Sequence, residues 1–464
     1  MSEESAKWDR EFTWHPFTQM REWMEAEPVV ITRGEGVWLE DSGGKKYIDG
    51  NSSIWTNVHG HHVAELNAAL SQQAGRVAHT SFLGLTNDVA PRLARELLKH
   101  YLQVEAPEGS GFRVFFSDDG ATAIEAGLKL AHQARQQRGE TLRNEVLSLG
   151  NAYHGDTVGA MSAAHSPIFH AVYKKWLFET REIPSPACYR CSFNKATPCR
   201  GEDARLTRKC GMECVGELQK AMDVAGEALS LFIMEPLVQG AGQMGMQPAG
   251  YLKEAARLCR ERGVWLMLDE VFTGFGRTGE MFACQKDGVR PDFIALAKGL
   301  TGGYLPVAAT ITTGEIFDAF LGDYSDLKTF FHGHSYTGNQ LGCSVALANL
   351  ELFQTNGTLG KVRHISEWMK REAQAFWDHP NVGDVRQEGV ILAIELVEDF
   401  ATRRPFDFKK RIGMRICEVA KKHALLTRPI GDVLFLMPPT CITESEVRQM
   451  VGALRVALGE VLPG

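Results

Sequence analysis

Six short apolar runs recur through the middle of this chain: Arg113 to Phe116, Glu145 to Leu149, Leu229 to Met234, Val264 to Leu268, Phe293 to Ala297 and Val307 to Ile311. Runs this short, separated by helix-length segments, constrain the chain to strands alternating with helices, and so to a mostly parallel α/β sheet covered on both faces. In such sheets ligands collect at the carboxyl ends of the strands. Chemistry is therefore expected where most of these runs stop, in Ser117-Asp118-Asp119-Gly120-Ala121, Asn151-Ala152-Tyr153-His154-Gly155-Asp156, Glu235-Pro236, Asp269-Glu270 and Lys298-Gly299.

The flanks have a different texture. Val29 to Thr32, Val37 to Glu40 and Lys46 to Asp49, around a Ser42-Gly43-Gly44 turn, predict a small antiparallel unit. Beyond residue 340 the spacing predicts helices over Ser344 to Phe353 and Ile365 to Phe376, strands over Val390 to Leu396 and Val433 to Met437, and a last helix from Glu444 to Leu458. Thr443 and Glu446 have capping-box spacing at the start of that helix. A length of 464 residues exceeds what one core usually serves. The expected division is a large domain over 66–340 and a smaller α+β domain built from 1–65 and 341–464.

A formal net charge of -7 argues against a nucleic-acid partner and for a small-molecule one. The polar start of the chain carries no signal-peptide pattern, and no apolar stretch reaches membrane-spanning length. A cytoplasmic enzyme with most of its ten cysteines as free thiols is the expectation. Cys188, Cys191, Cys199, Cys210 and Cys214 cluster in a segment of about 185–216 that begins with Cys-x-x-Cys. Their later spacings fit no common zinc module, so the segment reads as an insertion and no metal is expected.

Asp269 and Lys298 close two successive apolar runs. An acid at one strand end and a lysine among glycines at another are the parts of a pyridoxal phosphate site: the lysine bonds to the cofactor, and the carboxylate pairs with the ring nitrogen. Other segments are compatible with that site without requiring it. Gly120 and Ala121 open a helix whose free N–H groups can hold a phosphate, although an ordinary strand-to-helix turn looks the same. Tyr153 and His154 could flank a cofactor ring or be structural. Gly274 to Gly279 fails as a dinucleotide fingerprint, because it follows the acids and opens no helix. His332 and His334 lack a third ligand at zinc spacing, and the hydroxyls around them suit phosphate better.

Together these segments resemble the class III aminotransferases, fold type I pyridoxal phosphate enzymes, over nearly the whole chain. Within that class, His15 to Met20, Asp49 to Trp55, His332 to Gln340 and Thr427-Arg428-Pro429-Ile430-Gly431 are similar to the branch that aminates 8-amino-7-oxononanoate to 7,8-diaminononanoate in biotin biosynthesis. The resemblance implies pyridoxal 5′-phosphate as cofactor, Lys298 as the covalent attachment and proton carrier, and Asp269 at the ring nitrogen. It implies that Gly120 and Ala121 cradle the phosphate, Tyr153 lies near the ring and Glu235 is a supporting acid. Phe17, Trp55, Tyr153, Lys298, Gly333 and Arg428 would meet substrate, Arg428 through a carboxylate. His334 and Ser335 would reach the phosphate from a neighbouring subunit, which makes a homodimer part of the site. Some members have Tyr at the place of Phe17 and Trp-Trp at that of Ile54-Trp55, which goes with S-adenosylmethionine as amino donor. Phe17 is similar to the lysine-using branch, so both donors stay open. An ω-amino acid, diamine or taurine:pyruvate transaminase is the alternative activity.

Overall fold

The computed structural model describes residues 2–166 and 168–463. Its central element is a seven-stranded sheet in the order Arg113–Ser117, Ala308–Thr312, Phe293–Leu296, Trp265–Asp269, Leu229–Met234, Glu145–Leu149 and Arg181–Ile183. Ala308–Thr312 is antiparallel to both its neighbours. The remaining pairs are parallel, as expected from the buried apolar runs. The six expected runs all form strands, with bounds shifted by a residue or so. Arg181–Ile183 is an additional edge strand, too short and too polar to stand out in the sequence.

The helix Gly120–Gln137 lies on this sheet and buries Ile124, Leu128, Leu130 and Ala131. Gly127 lets it lie close, because a Cβ there would stand 2.9 Å from Met267 Sδ. Its start is fixed by a capping box in which Asp119 Oδ1 accepts the Thr122 N–H at 2.9 Å and Thr122 Oγ1 accepts the Asp119 N–H at 2.9 Å. Helix Gln340–Thr355 contributes Cys343, Ala346, Leu350 and Phe353 to the core on the opposite side.

A second core joins the two chain ends, from Val37 and Ile48 through Phe376, Ile394 and Phe435 to Leu454. The N-terminal strands Ile31–Glu35, Trp38–Asp41 and Lys46–Asp49 are antiparallel, and Leu425–Leu426 adds in parallel to the last of them, with Leu426 opposite Asp49. Val382–Glu388, Ile391–Leu396 and Val433–Leu436 form an antiparallel sheet of three. The final helix runs Glu444–Val461, with the expected cap at Thr443 and Glu446. Among the described residues no helix is long and apolar enough to cross a membrane.

The cysteine-bearing segment docks on the three-stranded sheet and the helical turn before it. Arg190 Nε donates to Glu395 Oε1 at 2.7 Å, and Arg205 Nη1 to Glu388 Oε2 at 2.8 Å. Arg200 caps the carbonyls of Trp377, His379 and Pro380 at 2.9–3.0 Å. The cysteines are free thiols. Burial pushes Cys188 up to about 12 and Cys214 up to about 11, so both stay protonated. Among the described residues no three His, Cys, Asp or Glu side chains gather as a metal site.

Candidate active site

Strand register brings the chemistry together. Leu268 lies opposite Met234 on one side, and Asp269 opposite Ala295 on the other. Glu235, Asp269 and Lys298 therefore leave three adjacent strands at the same carboxyl edge. Lys298 has φ of 45° and begins a tight turn, Lys298–Thr301. Gly299 is required there, because a Cβ would stand 2.9 Å from Phe275 Cβ.

Asp269 is 4% exposed and fully engaged: Oδ2 lies 2.8 Å from His154 Nδ1, and Oδ1 accepts the Val271 N–H at 3.0 Å. Glu235 is equally buried; its Oε1 accepts the Gly240 N–H at 2.8 Å and its Oε2 lies 3.4 Å from the Tyr153 N–H. Burial raises Glu235 to about 7, helped by the nearby Asp269 charge and opposed by His154. Burial lowers Lys298 below the ordinary lysine range, while Asp269 and Glu235 oppose that shift. Such a lysine releases its proton more readily than an exposed one. Its Nζ lies 4.8 Å from the centre of the Trp55 ring.

These groups border a cavity of about 690 Å³ walled by Gly120, Ala121, Tyr153, Glu235, Asp269 and Lys298 together with Trp55 and Phe272. That volume suits a cofactor together with a small substrate. The residues fit pyridoxal phosphate. The cap at Asp119 uses the Thr122 N–H and leaves those of Gly120 and Ala121, at the start of an 18-residue helix, for a phosphate. Gly155 lets the Tyr153 loop press on that helix start, since a Cβ there would meet the Ala121 Cβ at 2.4 Å. Tyr153 is held by its hydroxyl, which donates to Asp156 Oδ2 at 2.7 Å.

Five residues singled out in the sequence do not line the cavity in the single chain. Phe17 is 57% exposed, with its ring 6.5 Å from that of Tyr153, at the rim. Arg428 is exposed, two residues beyond Leu426. Gly333, His334 and Ser335 lie outside as well; His334 Nδ1 is 3.0 Å from Asp118 Oδ2, and the Ser335 carbonyl is 2.7 Å from His79 Nε2. The sequence reading missed Thr301, Tyr304 and Leu305, which form part of the wall. The glycine pair Gly302-Gly303 just after the lysine, both at positive φ, was the available signal for a chain reversal there.

Residues 20–458 match the aminotransferase class-III family. The adenosylmethionine-8-amino-7-oxononanoate aminotransferase of Geobacter sulfurreducens is 47% identical over 458 residues, covering 98% of each chain. The crystal structure of the enzyme of the same name from Methanocaldococcus jannaschii superposes with a TM-score of 0.90 at 38% identity, covering 99% of each chain. An omega transaminase from Pseudomonas jessenii, solved in complex with PMP, has a TM-score of 0.89 at 28% identity, covering 98% of each chain. An acid, a lysine and a helix start converge on one cavity, and the family match spans almost the whole length: this chain belongs to the class III aminotransferases, whose cofactor is pyridoxal phosphate.

Proposed function

We propose that this protein transfers an amino group from S-adenosylmethionine to 8-amino-7-oxononanoate, giving 7,8-diaminononanoate for biotin synthesis. The observation that carries this reading is the 47% identity, over 98% of both chains, to a relative named for that reaction, together with an intact cavity. The relatives' names favour S-adenosylmethionine, although Phe17 on its own pointed toward lysine.

Bound pyridoxal phosphate supplies an electron sink for the pair left when a Cα–H bond breaks. Asp269, held by His154 and Val271, keeps a proton on the ring nitrogen, and so keeps that sink available. Lys298 carries the proton between substrate carbon and cofactor, and its lowered affinity for that proton suits both directions of transfer. Gly120 and Ala121 hold the phosphate, and Tyr153 flanks the ring. Glu235 fixes the Tyr153 loop through the backbone and, raised to about 7, is only partly charged beside Asp269 at neutral pH.

Phe17, Trp55, Gly333 and Arg428 complete the substrate site in this reading. Arg428 follows a strand paired in parallel with the one that precedes Trp55, and its planar fork suits a carboxylate. The working form is a homodimer, in which the partner subunit's His334 and Ser335 close the phosphate site. Residues 66–340 act as the cofactor-binding unit, and 1–65 with 341–464 as the smaller unit.

The test supplies 8-amino-7-oxononanoate with either S-adenosylmethionine or lysine and measures diaminononanoate by mass spectrometry. Product with S-adenosylmethionine alone is expected; product with neither overturns the assignment. The Pseudomonas jessenii likeness supports a second reading, an ω-transaminase, and turnover with pyruvate in place of the oxononanoate would establish it.

A further inference from the structure

Ser52, Ser53, Ile54 and Trp55 have φ of 52°, 50°, 61° and 70°. None is glycine. The Trp55 N–H donates to Asn51 O at 2.8 Å and the Thr56 N–H to Ser52 O at 2.9 Å, so these residues form one turn of left-handed helix. L-residues resist this conformation, and β-branched Ile54 resists it strongly. Such strain persists only where the surroundings over-determine it, and it concentrates at functional sites.

Two buried ionic residues do the holding. Asp49, 1% exposed, accepts the Ser53 N–H at 2.9 Å on Oδ1 and the Ser53 hydroxyl at 2.8 Å on Oδ2, and also lies 3.0 Å from His61 Nε2. Arg277, also 1% exposed, donates from Nη2 to Asn57 O at 2.8 Å and to Trp55 O at 3.4 Å. From Nη1 it reaches Ser52 Oγ and Pro438 O, each at 3.4 Å. Ser52 Oγ in turn donates to Met437 O at 2.6 Å. Neither Asp49 nor Arg277 lines the cavity.

The turn delivers the Trp55 ring to 4.8 Å from Lys298 Nζ and wedges it 4.6 Å from Phe272 and 5.7 Å from Phe435. Trp55 lines the cavity, and its Nε1–H is buried without a hydrogen-bond partner. A right-handed or extended path through the same four residues would carry this side chain elsewhere.

We propose that Asp49 and Arg277 are positioning residues for substrate: they clamp Ser52–Trp55 in a left-handed turn and thereby hold Trp55 against the reacting lysine. This rests on the reading of the cavity as the substrate site of a transaminase. Ser53 is exposed, so Ser53→Ala removes one clamp bond without endangering the fold. Arg277→Lys keeps the charge and loses the fork. Ile54→Gly makes positive φ easy and should make the clamp less necessary.

The holoenzymes are compared with whichever keto acceptor the wild type uses. Ser53→Ala is expected to raise KM for that acceptor about threefold or more, and Arg277→Lys to raise it further. kcat should stay within about twofold, and Ile54→Gly should restore the Ser53→Ala KM. Without substrate, acrylamide quenching of Trp55, read as the difference from the matched Trp55→Phe protein, should rise in Ser53→Ala and fall back when Ile54→Gly is added. Unchanged KM and quenching in Ser53→Ala, or no restoration by Ile54→Gly, overturns the proposal. A wild type that uses pyruvate instead of 8-amino-7-oxononanoate overturns only the substrate assignment, because the quenching comparison needs no substrate.

Discussion

His154 Nδ1 lies 2.8 Å from Asp269 Oδ2, with both side chains buried, so the acid at the strand end is oriented by the protein itself. Removing the acid and removing what orients it should differ in size. Asp269→Asn is expected to lower the rate of the donor half-reaction by about 10³, and His154→Asn by about 10 to 100, as for other residues that orient a working ligand. Single-turnover absorbance measurements separate the two, and equal losses would contradict an orienting role for His154.

Lys298 lies at the same strand edge as Asp269. Lys298→Ala should bind the cofactor without the visible band of lysine-bound pyridoxal phosphate, and turnover should fall by roughly 10³ or more. A cofactor-loaded wild-type protein that lacks this band would refute the site.

Glu235 makes stability depend on pH. Its carboxyl titrates near 7 when folded, against about 4.5 when unfolded, so between those values the native state holds the extra proton. The contribution is fully present below about pH 4.5 and is lost as pH rises through 7. Glu235→Gln in the cofactor-free protein should match wild type in acid and exceed it by about 3 kcal/mol well above pH 7. Urea midpoints across that range check the sign, and a variant that is less stable at high pH would reverse it.

Arg205 ties the cysteine-bearing segment to Glu388 from a largely buried position. Arg205→Ala should cost about 2–3 kcal/mol in urea unfolding, because it leaves the largely buried Asp203 carboxylate without an ion-pair partner and Glu388 with Lys286 alone. Arg257→Ala, which breaks exposed pairs on a helix face, should cost less than about 1 kcal/mol. If the two losses are equal, the segment does not act as a clasp.

Where local pattern carries the information, the sequence was legible. Strands buried on both faces announce themselves as apolar runs, and their ends put Glu235, Asp269 and Lys298 on one edge without any knowledge of the packing. The caps at Asp119 and Thr443 depend on residues three apart and can be read the same way. Val382–Glu388 was not legible: its polar residues are buried in ion pairs, Arg386 with Asp384 of the same strand and with Glu395 of the next, and Glu388 with Arg205.

The sequence by itself determined the fold class, the cofactor chemistry and the residues at the strand ends, since each depends on neighbours within a few positions. Only the tertiary structure decided which candidates meet. It brought Trp55 to Lys298 through a left-handed turn that no propensity favours, held by Asp49 and by an arginine more than 220 positions away. It left Phe17, Gly333, His334, Ser335 and Arg428 outside the cavity of the single chain. Contacts between residues hundreds of positions apart leave no periodic trace, because their free energy comes from burial and hydrogen bonds that exist only after the chain has closed on itself.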